Sequence, residues 1–135
     1  MNFNQFRETG LRNLKKAKTE PGFSVSHPGE RVIRTANLGF NFHSIHGPEY
    51  RAYDKVADRT PKNKSIQNVP LSELHTSQYS VNAAHVAHHL NSGETDQIPQ
   101  VTKYRGRTWV DDGHHRIAAF MLGGATHMPM TVSEQ

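Results

Sequence analysis

Asp111-Asp112-Gly113-His114-His115-Arg116 sets two carboxylates, a glycine, two imidazoles and a guanidinium side by side. These groups suit phosphate chemistry. An arginine grips a phosphate through two parallel N–H donors. A histidine gives or takes a proton near neutral pH. A carboxylate can serve as a general base or hold a hard cation such as Mg2+, which often takes one or two carboxylates together with phosphate oxygens. The local pattern places all six at one kind of junction. Thr108 to Val110 reads as a strand and Ile117 to Leu122 as a helix. A helix N-terminus favours anions, because its first N–H groups have no partner within the helix and the dipole is positive there.

Each residue has a functional and a structural reading. Arg116 is the expected phosphate ligand; the alternative is an ion pair with Asp111 or Asp112. Gly113 allows close backbone approach or a positive φ, which an ordinary turn glycine also does. His114 and His115 are candidates for proton transfer, with His115 also a candidate phosphate donor. Alternatively one of these rings packs inward onto a backbone carbonyl. Asp111 and Asp112 are adjacent, so on a strand they point to opposite sides and at most one faces the phosphate. Asp112 could instead cap the helix. Asp111, Asp112, His114 and His115 form the candidate catalytic set.

A second histidine cluster lies at His85, His88 and His89. His85 and His89 are four apart, the spacing of a two-histidine metal site. No glutamate stands between them in the metalloprotease pattern and no third ligand is evident, so no metal site is assigned. Trp109 is expected in the core. Tyr50 and Tyr53 sit near Arg51, Lys55 and Arg59, where they could touch a nucleic acid or pack a helix onto the main domain.

The elements that position these residues come from the rest of the chain. It has 135 residues and is 34% hydrophobic, enough for one domain with a small core. No apolar run approaches the length of a membrane span, and Met1-Asn2-Phe3-Asn4-Gln5 lacks a signal-peptide pattern, so a cytoplasmic protein without a membrane partner is expected. There is no cysteine, which excludes disulfides, thiolate metal sites and a thiol nucleophile. Residues 1–64 carry 12 Lys/Arg against 6 Asp/Glu, and residues 65–135 carry 4 against 6. The net +4 is therefore concentrated in the first half, which suits a polyanionic partner.

The first half, 1–64, reads as a basic extension that packs on or wraps the second. A helix is expected over 2–18, weakened by Gly10 and ended by Pro21-Gly22. Short strands are expected at Phe23-Ser24-Val25, Arg31 to Arg34 and Leu38 to Phe42, then a helix from Pro48. Thr60 to Lys64 reads as a linker. In the main domain, 65–135, a strand at Ile66 to Val69 precedes a helical turn at Leu71 to Leu74. A helix capped by Ser80 runs from Val81 to Leu90 and stops at Ser92-Gly93. A hairpin turns at Arg105-Gly106, the junction helix follows to Gly123-Gly124, and Met128 to Val132 is a last strand. The fold class expected is α+β, a small mixed sheet with helices.

Residues 66–132 resemble the ParB/sulfiredoxin superfamily, in particular its ParB-like nuclease-type domains. The resemblance is carried by Val69-Pro-Leu-Ser-Glu-Leu74, His75-Thr-Ser-Gln78, Ile98-Pro-Gln-Val101, Val110-Asp-Asp-Gly-His-His-Arg-Ile-Ala-Ala119, Leu122-Gly123 and Met128-Pro129. It implies binding of a nucleotide or nucleic-acid phosphate by Gly113, His115, Arg116 and Gln78. It also implies a metal-assisted DNA nuclease, with Mg2+ or an NTP as the expected cofactor and DNA foremost among the partners. The alternatives are an NTP-dependent switch or interaction module without cleavage, or a small phosphotransferase. Sulfiredoxin-type members carry a reacting cysteine where this chain has His114. Kinase-type members carry a glutamate where it has Gln78, and an amide cannot act as a base. Partition-type members add a helix-turn-helix downstream, which is not expected in a chain that stops three residues after its last strand.

Overall fold

The computed structural model describes residues 2–22, 29–57, 63–93 and 97–134. They form an α+β fold with five α-helices, a three-stranded sheet and a six-stranded mixed sheet among the described residues. None of these helices is long and apolar enough to cross a membrane.

The first helix, α1, spans Phe3–Lys16. Asn2 and Gln5 form a capping box at its start, and Lys15 and Lys16 lie in the last turn, where cations suit the dipole. Gly10, the weak point of its sequence, is its buried residue. A Cβ there would come within 2.2 Å of Leu90 Cδ2, so the missing side chain is what lets α1 approach its neighbour. Strands β1 (Glu20–Pro21) and β2 (Arg31–Arg34) pair antiparallel. The strand expected at Phe23-Ser24-Val25 lies outside the described residues.

The strand expected over Leu38 to Phe42 is corrected. Thr35–Leu38 is one helical turn, α2, stopped by Gly39 at φ +117, and only Asn41–Phe42 is extended, as β3. Helix α3 (Pro48–Ala57) starts at its proline as expected. Asn63 and Lys64, expected in a linker, are the first residues of β4 (Asn63–Pro70), opposite Glu134 and Ser133. The helical turn at Leu71–Glu73 is 3-10, and β5 (Leu74–Thr76) follows.

The helix expected from Val81 is also corrected. Ser80–Asn82 form β6, which pairs with β2, and α4 runs over Ala83–Ser92. Its cap is Asn82, whose side chain accepts the N–H of His85. Cap chemistry at Ser80 gave way to pairing with β2. Strands β7 (Gln100–Tyr104) and β8 (Arg107–Asp112) make the expected hairpin, with Arg105 and Gly106 both at positive φ. Helix α5 (His114–Leu122) and strand β9 (His127–Glu134) are the last elements of the described residues.

The large sheet has the order β3-β5-β8-β7-β9-β4. One face carries Leu74, Val101, Val110, Met128, Met130 and Val132 into a core shared with Val86 and Leu90 of α4 and Ile117, Ala118 and Ala119 of α5. The other face carries Trp109 and Thr102, which are neighbours across the β7–β8 pair. Trp109 is 1% exposed, in the core as its sequence suggests. Tyr53 of α3 stacks on it at 4.8 Å and 11°. The sheet thus has helices on both sides.

Candidate functional site

Strand β8 ends at Asp112 and α5 begins at His114, so the junction is one residue, Gly113. Its φ is +101, a region that disfavours side chains. A Cβ there would also lie 2.8 Å from Pro99 Cβ and 2.9 Å from Pro99 Cα. Gly113 itself holds the cap position and no side chain caps α5. The reading of Asp112 as the helix cap is therefore corrected, because Asp112 is still in the strand. His114, His115 and Arg116 are the first three helical residues, and their amides form the uncapped turn.

This turn forms a wall of a cavity of about 360 Å3. Asp112, Gly113, His114, His115 and Arg116 line it, with Gln78, His89, Gln97, Ile98 and Pro99 around them. A second cavity of about 320 Å3 adjoins it. Asp111, Tyr50, Tyr53, Asp54, Thr76, Ser77 and Trp109 are among its lining residues, and Gln78 and His114 border both spaces. Strand alternation separates the two aspartates as expected: Asp112 faces the first cavity and Asp111 the second.

The side chains are held differently. His114 Nε2 and Thr76 Oγ1 share a hydrogen bond of 2.6 Å, and the ring lies against Phe40. Burial drives the His114 pKa down to about 4, helped by neighbouring His115, so the ring is neutral at physiological pH. His115 Nε2 accepts the backbone N–H of Asn82 at 3.0 Å. That bond leaves the ring proton on Nδ1 and occupies the other nitrogen. Burial lowers this pKa too, with His85 and His89 adding to the effect. The His85 ring is 5.1 Å from that of His115, and His89 borders the cavity. Among the described residues no group of three His, Asp or Glu side chains could hold a metal ion.

Asp111 is committed on both oxygens. Tyr53 Oη donates to Oδ1, and Thr102 Oγ1 donates to Oδ2 at 2.6 Å. Burial raises its pKa against the effect of these two donors. Burial likewise raises that of the Tyr53 hydroxyl. Gln78 Nε2 donates to Ser80 O, and its backbone N–H donates to Thr76 Oγ1. Thr35 ties this loop down from α2: its hydroxyl donates to Gln78 O at 2.6 Å and its N–H to Tyr79 O at 2.9 Å.

Sequence reasoning did not single out Thr35, Phe40, Thr76, Asn82 or Thr102. Hydroxyls and amides carry no spacing signal of their own, and the hydrogen-bond partners of Thr35, Thr76, Asn82 and Thr102 lie 9 to 44 residues away. A further pair was missed as well. His43 Nε2 and His75 Nδ1 are 2.8 Å apart beside Trp109, brought together by the β3–β5 pairing.

Fold and site together define an α+β fold in which the N-terminus of α5, with no side-chain cap, borders a cavity lined by histidine, arginine, glutamine and aspartate side chains. Comparison with family models, curated proteins and solved structures finds no match to this chain.

Proposed function

We propose that this chain binds a nucleotide or a nucleic-acid phosphate at the N-terminus of α5, as a ParB-like phosphate-binding domain. The observation that carries the reading is the uncapped first turn of α5 lining a cavity together with Arg116. Amides at a positive helix end and a guanidinium are complementary to a phosphate dianion. Gly113 supports the approach, because no side chain stands between backbone and cavity.

The binding function has better support than proton transfer by the histidines. His114 is neutral and bonded to Thr76, and His115 has given one nitrogen to Asn82. Both suit hydrogen bonding to a phosphate oxygen or positioning of the helix. A nucleic-acid-cleaving reading is favoured by one observation: Asp112 faces the same cavity as Arg116. That carboxylate could hold Mg2+ jointly with phosphate oxygens and water.

Thermal-shift and calorimetric titration with NTPs and short oligonucleotides, with and without Mg2+, test this on wild type and Arg116→Ala. Loss of a charge-assisted phosphate contact should weaken binding by roughly ten-fold or more. Binding unchanged in Arg116→Ala would refute the site. Cleavage of an oligonucleotide that needs both Mg2+ and Asp112 would select the nuclease reading, and binding without cleavage the nucleotide-dependent module.

A further inference from the structure

The second cavity lies next to the proposed phosphate site and is of another character. It is roofed by α3, from outside the segment that carries the phosphate motif. Trp109 of β8 and Tyr53 of α3, which are 1% and 6% exposed, stack on each other in its lining. Those two rings are spent on each other. Tyr50 adjoins both, tilted 50° to Tyr53 and 58° to Trp109, but it is half-buried and lines the open space.

The polar lining includes two carboxylates, Asp111 and Asp54. Asp111 is filled by Tyr53 and Thr102. Asp54 is exposed at the cavity wall and carries one long bond from the Tyr50 hydroxyl, at 3.3 Å. A carboxylate beside an aromatic face suits a flat heterocycle with N–H donors on its edge. Each cavity, at about 360 and 320 Å3, is near the lower bound for a small-molecule pocket, and the two share His114 and Gln78. Together they have the size of a nucleotide, with helix amides and Arg116 to meet a phosphate at one end and aromatic rings to meet a base at the other.

We propose that the second cavity is a nucleobase subsite, in which Tyr50 stacks on the base and Asp54 accepts from its N–H edge. Guanine fits best, because its ring N–H and exocyclic amine are adjacent and match the two oxygens of one carboxylate. Uracil fits worst, because its single edge N–H lies between two carbonyls that a carboxylate repels. The assignment of base to one cavity and phosphate to the other rests on the phosphate reading above.

The test is calorimetric titration of the full chain with GTP, UTP, guanosine and inorganic tripolyphosphate, on wild type, Tyr50→Ala, Tyr50→Phe, Asp54→Asn and Arg116→Ala. GTP should bind more tightly than tripolyphosphate. Tyr50→Ala should weaken GTP by roughly ten-fold, as expected for a lost base–aromatic stack, and leave tripolyphosphate unchanged. Tyr50→Phe should keep the stack, and Asp54→Asn should erase the preference for GTP over UTP. Equal affinity for GTP and tripolyphosphate, or GTP binding indifferent to Tyr50→Ala, would overturn the subsite. Guanosine binding that depends on Tyr50, with no tripolyphosphate binding, would overturn the phosphate reading and keep the subsite. Binding of neither would overturn both.

Discussion

His115 Nε2 accepts the N–H of Asn82 at 3.0 Å, so a residue in the first turn of α5 fixes the residue that caps α4. The two helix starts are thereby locked to each other beside the candidate phosphate site. Removing the ring leaves a partly buried N–H without its acceptor, at a cost of about 1–3 kcal/mol. His115→Ala should therefore lower stability by that amount in urea unfolding, and speed hydrogen exchange at Asn82 and His85. His115→Gln, which can present a carbonyl at similar reach, should recover part of the loss. Equal exchange rates in all three proteins would show that the bond does not hold the α4 cap.

Stability should fall with acid, and the direction follows from His114. In the folded chain it stays neutral down to about pH 4, whereas in the unfolded chain it takes a proton near its ordinary 6.5. Between those values the unfolded state binds more protons, so stability rises with pH across the window and is lost as pH falls. His43, His75 and His115 are shifted down as well and act in the same sense. Asp111, shifted up, acts oppositely toward the acid end. The expected net change from pH 7 to 4.5 is a loss of about 1–3 kcal/mol. Chemical unfolding at both pH values measures it, and His114→Asn should flatten the slope.

The Asp111 carboxylate should matter through its shape more than its charge. It accepts from the hydroxyls of Tyr53 and Thr102, which are themselves 6% and 3% exposed. Asp111→Ala strands two buried donors and should cost about 2–4 kcal/mol, counting at least 1 for each. Asp111→Asn keeps an acceptor, offers the other hydroxyl a donor, and removes a charge that burial disfavours. It should stay within about 1 kcal/mol of wild type. Melting temperatures of the two variants decide this, and an equal loss in both would mean that the charge itself is needed.

Gly10→Ala runs against helix propensity. Alanine is favoured over glycine in a helix interior by about 1 kcal/mol. Here the new methyl would come within 2.2 Å of Leu90 Cδ2, and Leu90 is fully buried in the core. The variant should be destabilised, with α1 loosened from α4 and α5, whereas Glu8→Ala on the exposed face should change little. A melting temperature raised by Gly10→Ala would refute the close contact.

The regular parts of this fold were legible because they repeat. Apolar alternation and helical spacing marked β4, the β7–β8 hairpin, α5 and β9 to within a few residues. The Asp-Gly-His-His-Arg run was legible as a junction, and both separation of the aspartates and Gly113 at the turn follow from elementary strand and glycine geometry. What was not legible depends on distant pairing. Ser80 looked like a cap until β2 supplied a strand for it to join. Leu38 to Phe42 alternated like a strand, but Gly39 in the left-handed region ends a helical turn there. The roles of His114 and His115 depend on Thr76 and Asn82, which no spacing in the sequence connects to them.

The parallel pairing of β3 with β5, Asn41 opposite His75 and Phe42 opposite Thr76, has a practical side. His43 extends it by donating its N–H to Thr76 O at 2.8 Å. A protein cut after the first 62 residues would bare the outer rim of β5, with backbone donors and acceptors open to any passing strand. In the full chain β3 covers that rim. Attempts to express the motif-bearing half alone should yield aggregates or swapped dimers, which size-exclusion chromatography would reveal.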